Sequence, residues 1–255
     1  MNEPSTHFSP LIWTIYGVII LYFALGATGF YLINRKKPTD VARKSYLKFL
    51  VYFLIINLLF WCIVLFPGGF PYLVIAIVLL GIWELSTLFV RSGFKNLPVF
   101  LLSLLVLISF GFGFYRFSLL SSETMLYVFL IVSIFDSFSQ ITGQLWGKKK
   151  IVPTISPNKT YGGVIGGFLV AVLSAFLLMV LHPEMSFDSR LIYIIGLVAF
   201  AFIGDLLASW YKRVYGVKDY SQLIPGHGGI LDRFDSLIAA AAWASVCLEV
   251  PNILF

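Results

Sequence analysis

Apolar stretches long enough to cross a membrane recur eight times in this chain of 255 residues, at about 10–33, 47–66, 71–90, 97–115, 124–146, 161–181, 191–211 and 231–249. A helix needs about 20 apolar residues to cross ~30 Å of hydrocarbon. With no water in that layer, each backbone N–H and C=O must be satisfied within the protein, which leaves helices or a closed barrel. The stretches exceed the length of barrel strands and do not alternate, so helices are expected. Only 12% of the residues are charged and 59% are hydrophobic, far from the roughly 25% charged of an ordinary soluble domain. The expected fold is an all-α integral-membrane bundle of about eight transmembrane helices.

The net charge of +6 could suggest a nucleic-acid partner, but the placement of the charges argues against one. Sixteen of the 18 Lys and Arg fall in loops that eight crossings put on one face; only Arg116 and Arg190 fall on the other. Such a bias follows the positive-inside rule, so the basic loops are expected to be cytoplasmic and both termini to lie outside. The leader MNEPSTHFSP lacks a basic residue, and the apolar stretch after it is too long for a signal core. Cys62 and Cys247 fall inside spans and are expected to pack as small apolar residues.

Polar chemistry is unevenly distributed. Residues 1–120 form a nearly uncharged scaffold in which Glu84, near the inner end of the third span, is the exception. Residues 121–255 hold the polar constellations and make the expected catalytic region. In the fifth span Ser133, Asp136, Gln140 and Gly143 share one helix face, which should point into the bundle or a wet cavity. Ser156, Pro157, Asn158, Lys159 and Thr160 precede a helix that opens with Gly162, Gly163, Gly166 and Gly167. Hydroxyls, a lysine and free amides at a helix N-terminus suit an anion, and the glycines admit either a ligand or a second helix.

The run from Ser209 to Asp235, SWYKRVYGVKDYSQLIPGHGGILDRFD, gathers Lys212, Arg213, Lys218, Asp219, His227, Asp232, Arg233 and Asp235. Asp205, Ser209 and Lys212 share a face of the seventh span, and Asp232, Asp235, Ser236 and Ala239 share one of the eighth. The alanines that follow leave room beside that face. Three aspartates without histidine or cysteine partners suit a hard cation such as Mg²⁺. They equally suit a structural ion network with Lys212, Arg213, Lys218 and Arg233, although that leaves the GHGG loop around His227 without a role. Carboxylates, a basic anion cradle and no nucleophile paired with a base point to phosphoryl or nucleotidyl transfer, where positioning and charge neutralisation dominate.

The same run resembles, nearly position for position, the signature of the phosphatidate cytidylyltransferases. Ser209, Lys212-Arg213, Lys218-Asp219, Ser221, Ile224-Pro225, His227-Gly228-Gly229, Ile230, Asp232-Arg233, Phe234 and Asp235 fill it, with Tyr211 in an aliphatic slot. Gly204-Asp205, Ser156 to Thr160, and Asp136 before Gly143 and Gly147 extend the likeness over about residues 130–240. The resemblance implies transfer of CMP from CTP to phosphatidate, giving CDP-diacylglycerol and pyrophosphate. It implies that Asp205 and Asp232 hold Mg²⁺, that Asp235 supports them, and that Lys159, Lys212 and Arg213 bind phosphates. His227 joins this catalytic set without an assigned role. Asp136, Ser156, Asn158, Thr160, Ser209, Lys218, Asp219, Gly228, Gly229 and Arg233 are expected to line the substrates. A monovalent cation beside Mg²⁺ and a homodimer are further expectations of the resemblance. Two positions where the family carries glutamate hold Gly162 and Ala208, which leaves open another lipid or polyprenyl phosphate as acceptor, or a non-catalytic homologue.

Overall fold

A computed structural model describes residues 8–181, 186–224 and 228–249. The described residues hold eight α-helices: α1 (Phe8–Asn34), α2 (Thr39–Leu65), α3 (Phe70–Arg91), α4 (Leu97–Phe117), α5 (Ser122–Trp146), α6 (Tyr161–Leu177), α7 (Phe187–Val214) and α8 (Leu231–Glu249). Each expected apolar stretch is a helix. Helices α2 and α7 begin before their apolar stretches, because hydropathy marks the hydrocarbon-length part and says nothing of the turns beyond it. Six helices, α1 to α5 and α7, are long and apolar enough to cross a membrane. Helix α6 has 17 residues, and α8 opens with Asp232, Arg233 and Asp235, so both fall short by composition or length. The chain is an integral membrane protein.

Helix starts follow from local chemistry. Prolines occupy the first turns of α3 and α4, where their missing N–H costs nothing. Ser121, Thr160 and Ser186 cap α5, α6 and α7 by accepting from the amides of Thr124, Gly163 and Ser189. Between α2 and α3 the chain makes a single 3₁₀ turn, Pro67–Gly69.

Two compact units divide the chain, Met1–Phe53 and Leu54–Phe255. In the first, the Phe23 ring meets Phe49 and Phe53 edge-on at 5.6 and 4.8 Å, and the Asn34 side-chain amide donates to Ser45 Oγ at 3.0 Å. In the second, α5 is the most buried helix and packs chiefly on α6, while α8 packs on α7 and α4. A Cβ at Gly163 would lie 2.7 Å from the Ser139 carbonyl oxygen, and one at Gly167 would run into Ser139 and Phe135. The glycines of α6 are therefore a seam for a second helix. The alanines of α8 serve the same end, with Ala239 against Gly204 and Ala242 against Gly113, so the room expected there is filled by α7 and α4.

The segment before α6 folds as an antiparallel hairpin of β1 (Lys150–Val152) and β2 (Ser156–Thr160). Two short strands in an otherwise helical protein were not expected from the sequence. Cys247 is buried and Cys62 partly so, and both are free thiols.

Candidate active site at one end of the bundle

The C-terminal ends of α3, α5 and α7 and the N-terminal ends of α4, α6 and α8 lie on one side by alternation of the chain, and the hairpin joins them there. Two lysine–carboxylate pairs organise this end. Lys159, from β2, reaches Asp205 of α7 at 2.8 Å and lies over the Phe202 ring at 4.2 Å. Lys212 of α7 reaches Asp232 of α8 at 2.5 Å and faces the Tyr220 ring at 5.1 Å. The turn-and-four spacing on α7 holds, since Ser209 Oγ donates to Asp205 Oδ1 at 3.2 Å.

Asp232 is the most fully engaged carboxylate. Lys212 takes Oδ1, and the amides of Tyr220 and Gly229 donate to Oδ2 at 2.9 and 2.8 Å. Its side chain is 2% exposed, so these three partners replace the water it gives up. Gly228 adopts φ +85°, and a Cβ there would lie 2.7 Å from Asp232 Oδ2. The signature glycine is therefore required both by its backbone and by the carboxylate beside it. The amide of Ile224 donates to the Gly228 carbonyl at 2.9 Å. Residues 225–227 lie outside the described residues, and with them the expectation for His227.

Glu84, singled out above but given no role, is fully buried on α3. Its Oε1 accepts from Ser221 Oγ at 2.6 Å and from the Ile230 amide at 2.9 Å, and its Oε2 accepts from the Leu231 amide at 2.8 Å. One carboxylate thus ties the start of α8 and the loop before it to α3. An anion at a helix N-terminus also meets the positive end of the helix dipole. A lone acidic residue in an apolar span was the available signal; its partners, some 137 to 147 positions away, left no trace in spacing.

Other expected site residues divide between support and surface. Asp136 does face α7 and α8, where its charge meets those of Asp205, Lys159 and Arg233 and acts on Asp235. Asp235 lies within the fields of Asp205, Lys212 and Asp136. Arg213 donates to the Ile155 and Val217 carbonyls at 3.0 and 2.8 Å, fastening the hairpin turn to the end of α7. Thr160 accepts from the Gly163 amide at 3.1 Å as the cap of α6. Asn158, Lys218 and Arg233 are exposed, and Ser156 and Asp219 are half-buried. Burial, reinforced by the charges of Asp235 and Asp232, pushes the Tyr220 phenol well above the ordinary tyrosine range. Its hydroxyl donates to the Ala208 carbonyl at 3.2 Å.

Among the described residues, no three His, Cys, Asp or Glu side chains are grouped as a ready-made metal site. The donor chemistry of Asp205 and Asp235 fits a hard cation, because they and Asp136 are all-oxygen groups whose like charges act on one another. Asp232 is committed to Lys212 and two amides, and it fits such a cation only where Lys212 leaves it.

The fold and this end of the bundle define a polytopic membrane protein with a buried, lysine-paired carboxylate site at one surface. The chain belongs to the cytidylyltransferase family, whose pattern it matches over residues 8–250. It is 44% identical over 126 residues to a phosphatidate cytidylyltransferase of Haemophilus influenzae, covering 48% of this chain and 44% of that protein. Against the phosphatidate cytidylyltransferase of Staphylococcus epidermidis it is 44% identical over 132 residues, 50% of this chain and 51% of the relative. The Staphylococcus aureus protein of the same name is 41% identical over 133 residues, with the same shares. The aligned part thus spans about half the length of these curated relatives.

Proposed function

We propose that this chain transfers the cytidylyl group of CTP to a lipid phosphate at the cytoplasmic surface of the cell membrane. Phosphatidate, the acceptor in the relatives' names, is the foremost candidate. The observation that carries the reading is the pairing of Lys159 with Asp205 and Lys212 with Asp232 at one end of a membrane bundle. Basic loops concentrated on that side support the cytoplasmic assignment.

In this reaction a lipid-phosphate oxygen attacks the α-phosphorus of CTP. The new P–O bond forms as the bond to pyrophosphate breaks, giving the CDP-lipid and pyrophosphate. The nucleophile is already an anion, so no residue must remove a proton. What remains is alignment and charge neutralisation. Lys159 and Lys212 supply the positive charge, and an entering phosphate competes for each with a carboxylate. Mg²⁺, when bound, would neutralise phosphate charge; Asp205 and Asp235 would hold it, and Asp232 would join them once Lys212 turns to substrate. Ser209 orients Asp205, and the amides of Tyr220 and Gly229 orient Asp232.

The test is pyrophosphate release by the purified full chain in detergent with CTP, Mg²⁺ and phosphatidate. Lipid-dependent release that Asp232→Ala abolishes is expected, with the CDP-lipid identified by mass spectrometry. Folded protein that releases none with phosphatidate or with a polyprenyl phosphate refutes the reading.

A further inference from the structure

Three exposed lysines, Lys148, Lys149 and Lys150, stand together where the chain passes from α5 into the hairpin. Among the described residues no carboxylate pairs with any of them. The sequence holds no Asp or Glu between Asp136 and Glu184, and Lys159, the other lysine of that stretch, is taken by Asp205. The patch is held in place. The Lys149 carbonyl accepts from the Tyr161 amide at 3.0 Å, its ammonium lies 5.4 Å from the centre of the Tyr161 ring, and Lys150 pairs with Thr160 across the hairpin. Uncompensated positive charge is thereby fixed at the first residue of α6.

An apolar track leads away from that charge. Helix α6 buries Gly163, Gly167, Ala171 and Ala175. Another face carries Tyr161, Ile165, Leu169, Leu173 and Leu177, four residues apart and 47, 57, 61, 60 and 62% exposed. Trp146, 70% exposed, ends α5 beside Gly162. Exposed Trp and Tyr next to lysines mark headgroup depth. At ~1.5 Å per residue, the ~15 Å of hydrocarbon in one leaflet reaches from Tyr161 past Leu169. A lipid whose chain covers Ile165 and Leu169 therefore has its headgroup among the three lysines. An anionic headgroup meets their need, whereas a zwitterionic one also brings an ammonium against them. A second copy packed on the same track about an axis normal to the membrane would add its own three lysines at that depth and increase the repulsion.

We propose that Lys148, Lys149 and Lys150, with the exposed track of α6, bind one anionic phospholipid of the surrounding leaflet, its phosphodiester among the ammonium groups and one chain on Ile165 and Leu169. The site does not depend on the proposed reaction, since a phosphodiester lipid there is neither acceptor nor product. It bears on the carboxylate end through the hairpin: β2 carries Lys159, and neutralising the three lysines at the base of β1 steadies the strand that presents it.

The test is native mass spectrometry of the full chain in neutral detergent, reading the Kd of the first dioleoyl phosphatidylglycerol or dioleoyl phosphatidylcholine bound. One variant combines Lys148→Gln, Lys149→Gln and Lys150→Gln. A control removes the same charge elsewhere, with Arg35→Gln, Lys36→Gln and Lys37→Gln, an exposed basic run that Asp40 follows. The parent is expected to prefer phosphatidylglycerol by about tenfold or more at low salt, and less as salt rises. The 148–150 variant should bind the two lipids within about twofold of each other, Lys149→Gln alone should fall between, and the control should keep the parent's preference. A preference that survives in the 148–150 variant, or that the control loses equally, overturns the site. So does a dimer that covers α6, because parent and variant would then bind alike. Amide exchange over residues 150–160 should slow on adding phosphatidylglycerol to the parent and not to the 148–150 variant. Exchange unchanged while the lipid binds overturns the link to the hairpin.

Discussion

Removing the Glu84 carboxylate tests whether an apolar scaffold helix controls the signature loop. In Glu84→Ala the amides of Ile230 and Leu231 and the hydroxyl of Ser221 lose their acceptor together. The two amides belong to the start of α8 and lie in a buried setting, where an unsatisfied donor costs about 1–3 kcal/mol. The hydroxyl can rotate to another acceptor, so the amides dominate. A total of about 2–6 kcal/mol follows for the local structure, with the vacated side-chain volume adding to it. Glu84→Gln keeps one oxygen and sets its –NH₂ against one donor, so about 1–3 kcal/mol is expected. Hydrogen exchange of the Ile230 and Leu231 amides reads this directly, because local opening accelerates by about tenfold for each 1.4 kcal/mol lost. Exchange should accelerate in the order parent, Gln, Ala. Pyrophosphate release should fall in the same order, since Gly229, which donates to Asp232, adjoins the clamped residues. Parent-like exchange at both amides in Glu84→Ala would refute the clamp. Accelerated exchange with undiminished turnover would refute its link to Asp232.

Three further outcomes follow from the packing and charges of the same region. Lys212→Met leaves Asp232, 2% exposed, with two amides and no counter-charge, and should lower stability by about 3–5 kcal/mol in chemical denaturation; Lys212→Met with Asp232→Asn should recover part of it. Gly167→Val drives a side chain into Ser139 and the Phe135 carbonyl and should cost at least about 1–3 kcal/mol, read as a lower melting temperature in detergent. The Tyr220 phenol is raised by burial in the folded protein, so it stays protonated while the unfolded chain ionises near its ordinary value of about 10. Stability is then unaffected by this group below that pH and falls above it, by up to about 1.4 kcal/mol per pH unit; Tyr220→Phe should flatten that alkaline limb.

Elements imposed by the bilayer were legible in the sequence, and elements imposed by partners were not. All eight helices could be placed because each carries a long apolar run, which in six of them meets the length that hydrocarbon sets. The polar turns added to α2 and α7 carry no such mark. The Asp205–Ser209 contact was readable because a four-residue spacing puts two side chains on one face. The same periodicity put Lys212 toward the site, but could not say that Asp232 would take it. The hairpin of residues 150–160 escaped because its strands are only three and five residues long, with Pro153 directly after β1 and Pro157 inside a polar β2. The glycines of α6 stood for either a ligand or a helix, and only α5 could decide between them.

The two pairs also explain why so much charge is kept at this end of an apolar bundle. A buried lysine–carboxylate pair seldom stabilises a fold more than apolar residues of similar size would. Lys212 is 9% exposed at its side chain and Asp232 2%, so this pair carries that cost nearly in full. Lys159 and Asp205, at 16% and 35%, are nearer to solvent and carry less of it. In the proposed reaction, a phosphate would meet the more exposed Lys159 before the deeper Lys212. Each transfer from carboxylate to phosphate exchanges one charge-assisted bond for another and so costs little. On that reading, each transfer would also free an aspartate for a cation as anionic charge accumulates. A structural network would instead be indifferent to phosphate. Pairing Lys159→Met with Lys212→Met separates the two cases: stepwise loss of CTP binding, with the larger loss of stability confined to Lys212→Met, is expected of a site built for exchange. CTP affinity unchanged in both variants would leave the pairs a purely structural role.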